Sequence, residues 1–214
     1  MNQSLKTFLH FELKTKGVII GERTKGGTFR PCIDNLPTST LKGTFRRFFG
    51  LEDVLAIGFF KKQTYQRSLF VHAPFDTFLG TAKLPLTVEC LTPAGDFPEI
   101  IADVYAVNSR DASILKTCKS TGIYIGAFKS KGFGKCTITY TGEVKSNIRT
   151  GYLKGRLLEE ESIAFGITKI IKQNHGYLFY PLSLVDGVYK KALFENSIIK
   201  GPEILIHEEY EYDD

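Results

Sequence analysis

No stretch of this 214-residue chain approaches the roughly 20 consecutive apolar side chains that a membrane helix needs, and the opening MNQSLKTF lacks the apolar block of a secretory leader. A soluble cytoplasmic protein without a membrane role is therefore expected. Cysteine is sparse and scattered. Cys32, Cys90, Cys118 and Cys136 lie too far apart for a Cys-x-x-Cys zinc site or a dense disulfide framework, which leaves buried free thiols. No Walker loop, GxGxxG fingerprint, internal repeat or low-complexity segment is present. Basic residues stop before the C-terminus: from Glu203 onward there are six acids and no Lys or Arg. The first 202 residues thus hold 28 basic against 17 acidic side chains, a net +11, although the whole chain is +5. A basic body of this kind is either a solvated surface or an electrostatic footprint for nucleic acid, and the acidic tail IHEEYEYDD is either solvated or a contact for a basic partner.

What is present is enough apolar material, 43% hydrophobic and 13% aromatic, to bury a core in one large domain or two small ones. Leu5, Leu9, Phe11 and Leu13 alternate with Lys6, His10, Glu12 and Lys14 in the period of a half-buried strand, with Phe8 out of place on the polar side. A glycine-rich, charged loop from Gly17 to Asn35 leads to the most locally specified stretch, LPTSTLKGTFRRFFG from Leu36 to Gly50. Here Thr38 or Ser39 can cap a helix, Leu41, Phe45, Phe48 and Phe49 share one face, and Gly50 is a stop. The other face carries Lys42, Arg46 and Arg47, and the first turn presents hydroxyls and amides where the helix dipole favours an anion.

Beyond Gly50, strands are expected at SLFVHA, Leu84 to Leu91 and Glu99 to Val107. A second short helix, capped by Ser109 or Asp111 with Ile114, Leu115 and Cys118 inward, is ended by Gly122 before a strand at Ile123 to Ile125. Helices among strands imply an α+β fold with the helices on one face. Between strands lies GAFKSKGFGK, Gly126 to Lys135, with three glycines and three lysines. It is either a phosphate cradle, because glycine lets backbone amides approach a ligand, or a tight hairpin with solvated lysines. From Glu143 a β-rich part is expected: runs at Tyr152 to Leu158 and Ile163 to Ile171, then GYLFYPLSLV and VYKKALFE joined by a two-residue turn at Asp186-Gly187.

Two of these stretches carry a resemblance. Leu36-Pro37-Thr38-Ser39-Thr40-Leu41-Lys42-Gly43-Thr44-Phe45-Arg46, followed by Phe48-Phe49-Gly50, resembles the lysine-glycine helix signature of the RAMP subunits of CRISPR effector complexes. Ser68 to Phe75, SLFVHAPF, is similar to the strand that follows it, and Ile125 to Lys135 resembles the family's glycine-rich loop. The likeness spans about residues 5 to 142. It implies a ferredoxin-like, RRM-type βαββαβ core over 1–142 that binds CRISPR RNA inside a multisubunit antiviral ribonucleoprotein, with other effector subunits and target nucleic acid as further partners. The β extension over 143–214 looks more like subunits that cap the five-prime handle of the guide than like filament backbone subunits. The RNA-binding residues so implied, with the cations of both stretches, are Arg30, Ser39, Thr40, Lys42, Arg46, Gly126, Lys129, Ser130, Lys131, Gly132, Gly134 and Lys135.

Three function classes follow: a non-catalytic RNA-binding subunit, an endoribonuclease, and a protein-interaction domain whose basic surface is incidental. The cations cluster at a helix start and a glycine loop, which favours the first over the third. For catalysis, the resemblance points to Asp34, upstream of the helix, where an Asx-type turn explains an acid equally well. Metal-independent RNA cleavage generally takes histidine as base, and His10 and His72 are candidates beside His175 and His207. No metal or cofactor is expected.

Overall fold

The computed structural model describes residues 5–21, 29–73, 75–76, 78, 80–82, 85–183 and 186–209. In chain order the elements that shape it are β1 (Lys6–Thr15), α1 (Thr38–Phe49), β2 (Ala56–Phe60), β3 (Tyr65–His72), β4 (Leu86–Pro93), β5 (Ile100–Val107), α2 (Arg110–Ile114), β6 (Thr121–Tyr124), β7 (Lys135–Ser146), β8 (Ile148–Leu153), β9 (His175–Pro181), β10 (Gly187–Leu193) and β11 (Ile198–Pro202). Short strands and single 3-10 turns connect them.

A six-stranded sheet runs β6-β7-β1-β5-β2, with Asn35–Leu36 at its far edge, and every neighbouring pair is antiparallel. Both helices cover one face. Leu41 and Phe45 of α1 and Ala112 of α2 join Leu9, Phe11 and Leu13 of β1 and Ala102, Val104 and Ala106 of β5 in one buried cluster. The opposite face is covered where Phe8, Ile57 and Phe59 meet Leu153, Leu157, Phe165 and Leu193 of the C-terminal part. Phe8, the residue that breaks the alternation of β1, is therefore fully buried, 6.4 Å from the ring of Phe165. A Phe buried in this way stabilises by about 1.5–3 kcal/mol, which ties the C-terminal β part to the core. The sheet-dominated architecture with few helices is compatible with the expected α+β class, and all four cysteines are free and buried.

Several local expectations are corrected. Helix α1 is preceded by Pro37 at the N-cap and has no side-chain cap; the Pro37 carbonyl takes the amides of Thr40 and Leu41, while Thr38 turns inward beside Glu161. Gly50 does stop the helix, at φ 67 with its amide on Arg46. Phe48 is not buried: it lies 37% exposed, stacked on Tyr124 at 6.2 Å. Ile114 is likewise exposed, because α2 is only five residues long and its inner face is spent on Ala112. Gly122 is a strand residue within β6, opposite Thr137, and not a helix stop.

The strand expected over Ile163 to Ile171 shortens to Lys169–Lys172, since Phe165 and Ile167 are held inward by a turn in which Gly166 adopts φ 84. β9 and β10 pair as foreseen, but Asp186-Gly187 is not a two-residue turn. The last pair is Pro181 with Gly187, Leu182 and Ser183 donate to the Asp186 carbonyl, and the Asp186 carboxylate accepts from the Gly187 amide at 2.7 Å. Ile206–Glu209 of the acidic tail pairs with β8, so this part is a strand and not a solvated tail; residues 210–214 lie outside the described ones. The boundary placed at residue 142 falls inside β7, which runs on to Ser146.

Candidate nucleic-acid interface

The lysine-glycine helix and the glycine loop, far apart in sequence, border one cleft of about 1020 Å³. Its floor is α1, through Ser39, Thr40, Gly43, Arg46 and Arg47. Gly43 matters here because a mid-helix glycine costs about 1 kcal/mol relative to alanine, and in α1 it leaves the helix backbone bare towards the cleft. One wall is Gly126 to Lys129 with Arg30, and the other is the β9-β10 hairpin with Arg156 and Phe194.

The glycine loop is held from behind. Its Phe128 sits in the left-handed region at φ 55, a conformation costing a bulky residue of order 1–3 kcal/mol, and is fixed by edge contacts to Phe70 at 5.9 Å and His72 at 5.8 Å. Two glycines serve the loop itself. A Cβ on Gly126 would come within 2.2 Å of the Ile19 carbonyl and one on Gly134 within 2.0 Å of the Ile125 carbonyl. The amides of Ala127 and Gly134 donate to Ile19 and Gly17 at 2.9 and 2.8 Å. Those amides are spent on the protein's own backbone, and the loop offers the cleft a lysine more than a bare cradle.

Of the residues singled out from sequence, Arg30, Ser39, Thr40, Arg46, Gly126 and Lys129 line the cleft. Lys42 faces elsewhere, donating to the Tyr180 hydroxyl at 2.6 Å with its ammonium 4.7 Å from that ring. Ser130, Lys131, Gly132 and Lys135 are exposed outside the cleft and Gly134 is buried behind it. The cations differ in how far they are already matched. Arg46 is bidentate on Glu52 at 2.7 and 2.8 Å and also donates to the Leu182 carbonyl. Arg156 is paired with Glu195 at 2.8 Å and lies over the Phe194 ring. Arg47 and Lys129 have no acid partner among the described residues, and the Lys129 ammonium is pushed below the usual lysine range by burial and then by the Arg47 charge. Two cations close enough to disfavour each other's charge are what a bound anion relieves.

The candidate catalytic groups are elsewhere. Asp34 accepts from the Tyr65 hydroxyl at 3.0 Å and from Arg67 at 3.3 Å, and Arg67 continues to Glu89 at 2.7 Å. Burial and then Asp34 push the Tyr65 phenol up to about 12. His72 packs on Phe70 and Phe128. His10 is more engaged than its sequence setting indicates: its ring contacts Asp103 at 3.0 Å and Thr141 at 2.7 Å and stacks on Tyr105 at 5.0 Å. Both ring nitrogens are thereby used within the sheet. Among the described residues no group of three or more His, Cys, Asp or Glu is placed to hold a metal, and no helix is long and apolar enough to cross a membrane.

No protein-family model matches the sequence, and no curated protein matches it. Solved structures do share its fold. A chain in the cryo-EM structure of the type III-B Cmr-beta bound to cognate target RNA aligns with a TM-score of 0.60 at 10% identity, over 89% of this chain and 86% of that one. A chain of the same assembly bound to cognate target RNA and AMPPnP aligns at 0.58 and 9% identity, with the same coverage. The fold is thus shared with a chain solved in that assembly. A likeness at such identity carries the fold and no residue from one chain to the other. Sequence reasoning missed the aromatic wall of the cleft. The sequence places Tyr177 and Phe179 on one face of a strand, two residues apart, but Tyr189 joins them only through the register Phe179 with Tyr189, which a two-residue turn at Asp186-Gly187 would not give.

Proposed function

We propose that this protein is a RAMP-type subunit of a type III CRISPR effector complex, working in the cytoplasm, that holds guide RNA through phosphate contacts in the cleft over α1. The observation that carries this is the convergence of two separated sequence stretches on one cationic cleft, with Arg47 and Lys129 side by side and without acid partners among the described residues. A phosphate between them restores the charge balance and suits the hydroxyls of Ser39 and Thr40 beside it. The strand order β7-β1-β5-β2, with α1 leading from β1 to β2 and α2 leading from β5 towards β7, supports a ferredoxin-like core as the frame. The fold likeness to chains of an assembly solved with RNA supports effector subunits and RNA as partners. The β extension packed on the sheet favours the position capping the five-prime handle of the guide over a filament position.

The test is purification of the protein with its complex from the native operon, followed by extraction of nucleic acid. Small RNA of uniform length is the expected yield. Its absence, together with no affinity of the purified chain for repeat-derived RNA, leaves a protein-interaction domain instead.

A further inference from the structure

The hairpin residues that line the cleft are largely aromatic. Tyr177 and Phe179 are two residues apart on β9, and Tyr189 is the register partner of Phe179 on β10, so the three share one face of the hairpin. All three border the cleft, and all are exposed, at 66, 45 and 50%. Phe179 and Tyr189 meet edge to face, centroids 5.8 Å apart at 71°. The reverse side of the hairpin is occupied: Tyr180 lies under Lys190 at 4.0 Å and bonds Lys42, and Lys190 reaches Glu160. The hairpin is thus docked by one side, and the three rings of its other side border the same cleft as Arg47 and Lys129.

We infer that the cleft is a two-walled clamp for single-stranded nucleic acid, with phosphates on the Arg47 and Lys129 side and at least one unpaired base stacked on the rings of Tyr177, Phe179 and Tyr189. This goes beyond the proposed RNA-holding role and rests on it. Charge complementarity selects the occupant: among the described residues the cleft lining contains five Arg or Lys, of which Arg46 and Arg156 already hold Glu52 and Glu195, and a single acid, Asp186, which suits a polyanion and not an apolar peptide. Ring faces select the strand state, because base faces are available to stack only when the base is unpaired. Stacking is tolerant of base identity, so the clamp reads single-strandedness and not sequence.

The test uses the full chain and single-stranded RNA carrying 2-aminopurine, whose fluorescence falls when it stacks. Wild-type protein is expected to quench it on binding, and to bind the intact strand about 5- to 150-fold more tightly than the same backbone with abasic sites, the range for one stacked base. Replacing Tyr177, Phe179 and Tyr189 by alanine should abolish the quench and reduce affinity for intact RNA to that for the abasic strand, with the salt dependence unchanged. The wild-type comparisons stand even if the triple variant fails to fold. Equal affinity of wild-type protein for intact, abasic and duplex RNA, with no quench, overturns the clamp while leaving phosphate binding in place. An Arg47→Ala/Lys129→Ala variant with undiminished affinity overturns the RNA-holding role itself.

Discussion

Removing Arg47 and Lys129 together is the perturbation that most directly probes the cleft. Neither side chain holds an acid among the described residues, so their loss breaks no ion pair among these, and Arg47 is exposed on α1. Each phosphate neutralised on a single strand contributes about 0.7 to the slope of log affinity against log salt, so the Arg47→Ala/Lys129→Ala variant should have a slope shallower by about 1.4. Between about 50 and 200 mM salt, wild-type affinity should therefore fall about sevenfold further than that of the variant. Fluorescence anisotropy of a labelled single strand across a salt series reads this directly. A second reading separates the two residues. Lys129 sits below the ordinary lysine range because of burial and the neighbouring Arg47 charge, so its positive charge is complete only below that lowered value and is lost as pH rises through it. Binding by wild-type protein should weaken as pH rises through that lowered value, and Arg47→Ala should move the onset to higher pH. Alanine at Lys131 and Lys135, exposed outside the cleft, should leave the slope as it is. A wild-type slope in Arg47→Ala/Lys129→Ala, or the whole change residing in Lys131 and Lys135, refutes the assignment of the cleft.

Two further outcomes concern the frame. Gly126→Ala forces a side chain into the left-handed region and to 2.2 Å from the Ile19 carbonyl, so thermal or denaturant unfolding should show a loss of at least about 1–2 kcal/mol; unchanged stability would mean that the loop is not locked as described. Glu161 is buried with one carboxylate oxygen unpartnered, and its carboxyl is raised above the usual range chiefly by that burial. Its stabilising contribution is complete below the ordinary carboxylate range and is lost as pH rises through the raised value. Glu161→Gln should therefore be more stable than wild type by about 1 kcal/mol at neutral pH, with the difference vanishing in acid, as followed by urea unfolding at several pH values.

Local chemistry alone determined the elements whose signals are short-range. The apolar spacing of Leu41 and Phe45 with Gly50 behind them specifies α1, and the alternation in β1 and β5 specifies half-buried strands. The cationic residues of the two quoted stretches were legible because charge and glycine are visible without coordinates. What tertiary structure decided is everything that depends on who faces whom. Phe8 is core because the C-terminal part lies over the sheet, and Phe48 is surface because Tyr124 meets it there. Among the described residues Arg46 is matched by an acid and Arg47 is not, although they are adjacent, because Arg46 is the one that reaches Glu52. Gly126 and Gly134 serve the loop's own backbone because segment 17–21 runs directly behind it. The aromatic wall exists because pairing of β9 with β10 puts Tyr177, Phe179 and Tyr189 on one face, in a cleft shared with a helix more than a hundred residues earlier in the chain. Sequence spacing fixes which way a side chain leaves its own element. What it meets there is set by contacts between distant elements, and no local rule contains them.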